Sequence, residues 1–234
     1  MADVLLAPAK LTRSLRVTGV RPDGLHTIDA EMVSLDLVDE LVFEPGDGLV
    51  LEGAGPDVSA GDDNLVRRAL RAVDRTARVT LRKRIPSGAG LGGGSSDAAA
   101  VLRWAGCADP EVAVALGADV PYCLVGGRAR VTGVGEHVEP LPPLALAFTL
   151  LTPPVHCATP DVYRAWDDLG GPTNAAGPND LEPAALVVAP ELARWRDELQ
   201  ERTGQIPVLA GSGSTWFVEG AHPGPGLVVV RTLD

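Results

Sequence analysis

Residues 85–99, IPSGAGLGGGSSDAA, decide how this chain folds and what it can bind. The five glycines in this stretch let the backbone approach a ligand closely and turn successive N–H groups toward it. The apolar residues that follow predict a helix, with Ser95, Ser96 and Asp97 as its cap and Gly106 as its end. A glycine loop that leads into the positive end of a helix is typical of a phosphate-binding site.

The type of phosphate loop has several alternatives. No GK[ST] follows the glycines, so the stretch is not a Walker A loop. Gly88, Gly90 and Gly93 match GxGxxG, which leaves a dinucleotide site open. The preceding strand, predicted over residues 79–85, carries three consecutive basic residues, whereas a strand that feeds a dinucleotide loop is buried on both faces. A flexible loop without a ligand is the remaining alternative.

Length and composition favour a folded globular protein. The 234 residues suffice for one large domain or two small ones, and 45% of them are hydrophobic against 22% charged. The net charge of −11 disfavours nucleic acid and anionic membranes as partners. The longest apolar run, residues 144–151, is far shorter than the ~20 residues of a membrane span, and residues 1–8 lack a signal-peptide pattern. We therefore expect a cytoplasmic protein.

Cysteine and histidine positions predict neither a disulfide framework nor a metal centre held by the protein. The three cysteines are far apart and odd in number, and the four histidines have no metal-ligand spacing. Buried thiols are the simpler interpretation of the cysteines.

Residues 1–84 alternate between strand and helix patterns. Residues 11–18 alternate apolar and polar positions as a half-buried strand does, and residues 28–43 predict one or two more strands. Residues 62–64 offer a cap for a helix over residues 65–73. Residues 79–85 alternate again, which predicts a strand with one face in water.

Later residues add helices and strands in a mixed order. Strands are predicted between the proline pairs 142–143 and 153–154, over residues 209–218 and over residues 227–230, with helices over residues 160–169 and 190–202. We expect an α+β protein with mixed and antiparallel sheets covered by helices. We divide it into an N-terminal domain, residues 1–144, and a compact C-terminal domain, residues 145–234.

Two charged residues stand out as candidates for chemistry. Asp119, in LGADVPYCL, lies where a helix is expected to end and an apolar strand to begin, and a carboxylate buried there requires partners. A residue that only caps a turn is the alternative. Lys10 opens the first strand and can bind phosphate oxygens or hold a nearby aspartate ionised, although a surface lysine is the alternative there.

Four ordered blocks give the chain a family resemblance. Residues 7–28 (APAKLTRSLRVTGVRPDGLHTI), 85–99, 116–127 (LGADVPYCLVGG) and 210–218 (AGSGSTWFV) resemble the signatures of the GHMP kinase superfamily, with NDLEP at residues 179–183 as a weaker fifth block. The resemblance implies a two-lobed kinase whose active site lies between the lobes. It implies ATP and Mg²⁺ as cofactors, a small-molecule substrate, and a monomer or homodimer.

The resemblance also assigns residues to roles. It implies Lys10 and Asp119 as the catalytic pair, with Asp119 as base or orienting carboxylate and Lys10 as its partner. The residues implied to wrap the ATP phosphates, with Mg²⁺ near Ser95, are Pro86, Ser87, Gly88, Ala89, Gly90, Leu91, Gly92, Gly93, Gly94, Ser95 and Ser96. The residues implied to face the substrate are Thr12, Leu25, His26, Tyr163, Gly211, Ser212, Gly213 and Ser214.

The motifs are most similar to those of the superfamily members that phosphorylate the 2-hydroxyl of 4-diphosphocytidyl-2-C-methyl-D-erythritol in the non-mevalonate isoprenoid pathway. The resemblance implies that His26 contacts the cytosine ring and that Tyr163 stacks on it. Thr12 stands where those members usually have Asn, and Leu25 where they usually have Tyr. The loss of that aromatic predicts weaker cytosine binding or a shifted specificity. A kinase for another small alcohol and a non-catalytic ligand-binding relative are the alternatives.

Overall fold

The structure, a computed structural model, describes residues 2–55, 58–171 and 177–233. The strands within these residues are β1 Asp3–Val20, β2 His26–Glu44, β3 Gly48–Glu52, β4 Arg78–Arg82, β5 Arg128–Gly133, β6 His137–Pro140, β7 Ala147–Leu151, β8 Val208–Leu209, β9 Trp216–Glu219 and β10 Val228–Leu233. The helices are α1 Leu65–Ala72, α2 Gly93–Trp104, α3 Pro110–Leu116, α4 Val120–Val125, α5 Thr159–Asp168, α6 Glu182–Val188 and α7 Leu192–Thr203.

The strands form one mixed sheet around the long β1–β2 hairpin. Its main path runs β3-β4-β2-β10-β7-β9-β8, while β1 and β5 also pair with β2, and β6 pairs with β5. The β3–β4 pair is parallel, and the other strand pairs are antiparallel. The α+β prediction is therefore confirmed.

Strand β10 pairs with both β2 and β7, so the last strand joins the two halves of the chain. The domain boundary at residue 145 stays a prediction.

Helix α2 lies at the centre of the packing. It contacts α1, α4 and β1, and its residues from Ser96 to Leu102 are all buried. Three consecutive alanines, Ala98 to Ala100, are fully buried there. Such small side chains let a helix approach its neighbours closely, so the start of α2 is held rigidly against the sheet.

The cap predicted for α2 is wrong. The helix begins at Gly93, and Gly92 precedes it with a left-handed backbone, φ 67°. Ser95, Ser96 and Asp97 therefore lie inside the helix rather than ahead of it. The physical reason is the freedom of glycine, which turns the chain directly into the helix without a side-chain cap.

Other sequence predictions are confirmed or corrected by the observed strands and helices. Residues 28–43 belong to a single strand, β2, and α1 has the predicted cap, with Asn64 accepting from the Val66 N–H. Strand β4 ends at Arg82, before Lys83, which is buried rather than in water. Helix α3 is the helix expected to end before Asp119, whereas α6, which spans only seven residues, was not predicted.

Among the described helices, none has both the length and the hydropathy that a membrane-spanning segment needs.

Candidate active site

A cleft of about 540 Å³ lies where the two halves of the chain meet. Its walls come from the middle of β1, the first half of β2, the glycine loop, the residue before α4, helix α5 and the loop between β8 and β9. It gathers most of the predicted site residues: Lys10, Thr12, His26, residues 86–95, Asp119, Tyr163, Gly211 and Ser212. Four motifs that are distant in sequence therefore meet at one surface.

Backbone hydrogen bonds hold the glycine loop on both sides. The Lys10 N–H donates to the carbonyl of Leu91 at 3.0 Å, which ties the loop to β1. The Thr215 N–H donates to the carbonyl of Ala89 at 3.2 Å, which ties it to the loop between β8 and β9. The loop is thus fixed between the two halves of the sheet rather than free in solvent.

Close approach explains the glycine at position 90. Gly90 has a left-handed backbone, φ 76°, and a Cβ there would lie 2.3 Å from the carbonyl oxygen of Ala210 and 2.7 Å from that of Gly213. These neighbours are backbone atoms that cannot rotate away. The absence of a side chain at this position lets the two loops pack directly against each other.

We expect Gly90→Ala to weaken ATP binding by about tenfold or more, because a misplacement that costs 1.4 kcal/mol corresponds to a factor of ten. The Kd of ATP can be measured by calorimetry. Gly117→Ala is the matched control, since Gly117 has an extended backbone and a Cβ there would lie 3.6 Å from its nearest neighbour, Val120. Unchanged ATP affinity in Gly90→Ala would contradict the role of this close approach.

The predicted pair of Lys10 and Asp119 is in contact. Lys10 Nζ lies 3.4 Å from Asp119 Oδ2 and donates a hydrogen bond of 3.1 Å to Thr12 Oγ1. The Lys10 side chain is 6% exposed, and that of Asp119 is 34% exposed. A buried ammonium needs compensation by charge or hydrogen bonds, and its third hydrogen is available for a phosphate oxygen in the cleft.

The surroundings of Lys10 depend on two further glycines. A Cβ at Gly92 would lie 2.6 Å from Lys10 Cγ, and a Cβ at Gly211 would lie 3.4 Å from Lys10 Nζ. The lysine side chain therefore passes between the glycine loop and the loop between β8 and β9. Lys10 requires the absence of a side chain at Gly92, whereas a Cβ at Gly211 would only be in ordinary contact with the ammonium.

The strand predicted after Asp119 is wrong. Residues 120–125 form helix α4, with Asp119 at its N-cap position but without a side-chain hydrogen bond to the helix. Pro121 in the first turn explains the helix, since proline is accommodated there and fixes a helical φ. The carboxylate of Asp119 consequently faces Lys10 instead of its own helix.

Five of the predicted small residues have different surroundings. Ser95 lines the cleft, whereas Ser96 is fully buried and its Oγ has no hydrogen-bond partner among the described residues. Ser212 lines the cleft and bonds through Oγ to the Thr159 hydroxyl at 2.8 Å. Gly213 and Ser214 lie behind Ser212, outside the cleft lining, and Ser214 is buried.

Asn179, from the weak fifth block, supports the loop between β8 and β9. Its amide donates to the carbonyls of Leu209 at 2.8 Å and Gly211 at 2.7 Å, and its Oδ1 accepts from the Leu181 N–H. Asn179 is 2% exposed. The sequence contained this signal in NDLEP, but the partner loop could be found only in the folded structure.

A buried group of three charges beneath the glycine loop was not predicted. Lys83 Nζ lies between Asp39 on β2 and Asp97 on α2, at 2.8 Å from Asp97 Oδ2, and Lys83 and Asp97 line the cleft. Asp39 Oδ1 also accepts from the N–H groups of Arg84 and Ile85, the residues that lead into the loop. The group ties the strand end, the loop and the helix together.

Two carboxylates share this one lysine. Burial raises the pKa of Asp97 to about 7, with Asp39 acting in the same direction and Lys83 opposing the shift. For Lys83, burial acts to lower the pKa, but the two carboxylates outweigh it and raise the pKa. Lys83 therefore stays charged, and its charge is neutralised by Asp39 and Asp97.

We expect Lys83→Met to lower the free energy of unfolding by about 3 to 5 kcal/mol, because it leaves two carboxylates buried against each other. Urea denaturation measures the loss, which should shrink as the pH is lowered and the carboxylates become protonated. Arg82→Met is the matched control, since Arg82 is exposed and its bonds to Glu40 and Glu52 lie at the surface. Equal stability of both variants would contradict a structural role for Lys83.

An aromatic cluster forms the far end of the cleft. The imidazole of His26 lies 4.6 Å from the ring of Tyr163, measured between centroids, and both residues line the cleft. Burial, with a smaller contribution from the charge of Asp119, raises the pKa of Tyr163, so its hydroxyl stays protonated. Leu25 lies in the hairpin turn before His26, is 52% exposed and is not part of the cleft lining.

Within residues 2–55, 58–171 and 177–233, no three His, Cys, Asp or Glu side chains lie together as a metal-binding group. The lining of the cleft does include single side-chain oxygens, among them the Ser95 hydroxyl and the Asp119 carboxylate.

Comparison with known proteins decides the family. Residues 64–127 match the family model of the GHMP kinases N terminal domain. The chain is 42% identical to the 4-diphosphocytidyl-2-C-methyl-D-erythritol kinase of Cereibacter sphaeroides, over 90% of this chain and 87% of that protein. The chain belongs to the GHMP kinase superfamily.

Solved structures agree with this GHMP assignment. A crystal structure of 4-(cytidine 5'-diphospho)-2C-methyl-D-erythritol kinase superposes with a TM-score of 0.74 at 34% identity, covering 92% of this chain and 89% of that chain. A homoserine kinase from Cytophaga hutchinsonii superposes with a TM-score of 0.63 at 16% identity, covering 99% and 95% of the two chains. This second likeness shows the fold alone, so the substrate has to be argued from the residues of the cleft.

Proposed function

We propose that this GHMP kinase transfers the γ-phosphoryl group of ATP to the 2-hydroxyl of 4-diphosphocytidyl-2-C-methyl-D-erythritol. The observation that carries phosphoryl transfer is the buried Lys10 in contact with Asp119 beside the glycine loop. The names of the relatives above and the His26–Tyr163 cluster support the cytidine-linked substrate.

The cleft supplies the parts that phosphoryl transfer needs. The loop over residues 86–92 and the start of α2 bind the ATP phosphates through backbone N–H groups. The substrate oxygen forms a bond to the γ-phosphorus while the bond from that phosphorus to the β–γ bridging oxygen breaks, and ADP leaves. Asp119 accepts the proton of the hydroxyl, and Lys10 stabilises the negative charge that spreads over the transferred group.

Mg²⁺ fits the charge balance of this cleft. Among the described lining residues, Lys10 and Lys83 are the permanently charged cations, and Lys83 is neutralised by Asp39 and Asp97. A triphosphate thus needs positive charge beyond Lys10, and Mg²⁺ supplies it when bound with ATP, held mainly by phosphate oxygens and water. The Ser95 hydroxyl is the protein oxygen that would complete its coordination.

The residues at the substrate end of the cleft suit a ligand that consists of an aromatic base and a charged linker. Tyr163 offers a ring face, and His26 offers a polar ring edge. Gly211 lies beside Lys10, since a Cβ there would be 3.4 Å from Lys10 Nζ, and the Ser212 hydroxyl bonds to that of Thr159 at the start of α5. The diphosphate of the substrate would lie along these two residues.

ADP release in a coupled assay tests the substrate assignment. The assay contains ATP and Mg²⁺ with 4-diphosphocytidyl-2-C-methyl-D-erythritol, mevalonate, homoserine or galactose. Turnover on the cytidylyl substrate alone is the expected result. Turnover on another alcohol would retain kinase chemistry but overturn the substrate, while ATP binding without turnover on any of them would favour a non-catalytic relative.

We expect Asp119→Asn to lower kcat by about 10² to 10⁴-fold and to leave the Kd of ATP nearly unchanged, because the amide keeps the shape but cannot accept the proton. Single-turnover kinetics and calorimetry measure the two quantities. Asp47→Asn, at an exposed position on the turn between β2 and β3, is the control for the loss of one negative charge. Full turnover in Asp119→Asn would remove this carboxylate from the mechanism.

We expect Leu25→Tyr to lower the KM of the cytidylyl substrate by about fivefold or more, because an aromatic ring beside His26 adds a stacking surface for the base. Leu25→Met, which adds no ring, should not lower it. A higher KM in Leu25→Tyr would show that the base does not lie beside the hairpin turn.

A further inference from the structure

Helix α5 holds His26 with three side chains. Tyr163, Trp166 and Asp167 follow the spacing i, i+3 and i+4, which puts them on one face of the helix. Tyr163 lies against the imidazole at 4.6 Å, and Trp166 meets it edge-on at 5.5 Å between centroids. Asp167 Oδ1 lies 2.8 Å from His26 Nε2. The imidazole is thus fixed in position and rotation by an element from the other half of the chain.

The bond to Asp167 also fixes which ring nitrogen carries the hydrogen. A carboxylate only accepts hydrogen bonds, so Nε2 must be the donor. In the neutral imidazole Nδ1 is then left with a lone pair and can only accept. No described residue bonds to Nδ1, and His26 lines the cleft with a side chain that is 10% exposed.

We infer that Asp167 is a positioning residue that presents His26 Nδ1 as an acceptor and so makes the enzyme select a cytosine over a uracil base. Cytosine carries an amino group at C4, which donates, whereas uracil carries a carbonyl there, which only accepts. A fixed acceptor pairs with the amino group and repels the carbonyl. The inference rests on the proposed function, because it names how the base of that substrate is recognised.

The selection should be strong at this position because the imidazole is nearly enclosed. A polar atom left without a partner in an enclosed site loses its interaction with water as well, and sites built this way reject the wrong group far more strongly than apolar pockets do. Tyr163 and Trp166 pack against the ring, and the bond to Asp167 selects the orientation that offers Nδ1. We expect a preference of about 10- to 100-fold in kcat/KM for the cytidylyl substrate over its uridylyl analogue.

The test compares Asp167→Ala with Asp168→Ala, which removes the neighbouring exposed carboxylate at the end of α5. In Asp167→Ala we expect a rise of about tenfold in the KM of the cytidylyl substrate, an unchanged KM for ATP, and a smaller preference over the uridylyl analogue. Asp167→Asn should recover part of the preference, because its amide oxygen can still accept from Nε2–H. Asp168→Ala should match the wild type in all three quantities.

Proton NMR of the unliganded protein gives a readout that does not depend on turnover. The His26 Nε2 hydrogen bonded to a carboxylate should give a downfield signal in the wild type and in Asp168→Ala that is lost in Asp167→Ala. Retention of the signal in Asp167→Ala, or its loss without a change in base preference, would overturn the inference. If the wild type phosphorylates no cytidylyl substrate, the proposed function fails and this inference with it, even where the NMR result is as expected.

Discussion

A buried ammonium group, Lys10 Nζ, is the constraint on which the rest of the site depends. A lysine with a 6% exposed side chain loses most of its hydration, so the fold has to supply compensation. Asp119, at the start of α4, supplies the opposite charge, and Thr12, on β1 like Lys10, supplies a hydroxyl. Gly92 supplies space, since a Cβ there would lie 2.6 Å from Lys10 Cγ. The separate sequence motifs are therefore parts of one environment around one charge.

The cleft contains two lysines that differ in their ability to bind an anion, and their partners explain the difference. Lys83 forms ion pairs with both Asp39 and Asp97, so its charge is neutralised where β2, the glycine loop and α2 meet. Lys10 has one carboxylate at 3.4 Å and one hydroxyl, which leaves it able to bind a further anion. Electrostatic stabilisation of phosphoryl transfer requires a cation that, like Lys10, can still bind an anion and is held in place before the substrate arrives.

Much of the site could be predicted because its residues are marked by local sequence. The glycine loop, Lys10, Asp119 and His26 each stand in a short motif, and the structure brings them to one cleft. The group of Asp39, Lys83 and Asp97 could not be predicted, because the alternation of residues 79–85 indicates a wet strand, and only the packing of α2 shows that Lys83 is buried. The burial of Ser96 was not predicted for a similar reason. Helix α2 begins at Gly93, ahead of the predicted cap, so Ser96 lies within the helix and faces the core. Asp167 stands outside every motif, and its role depends on a contact between two distant elements.

The most direct test of this account is a double-mutant cycle on kcat/KM with Lys10→Met, Asp119→Asn and the double variant. If the two side chains act as one catalytic pair, the double variant should be hardly slower than the slower single variant, because either change alone already destroys the pair. If the two losses multiply, Lys10 and Asp119 act independently, and the central claim that the site is built around their contact would be contradicted.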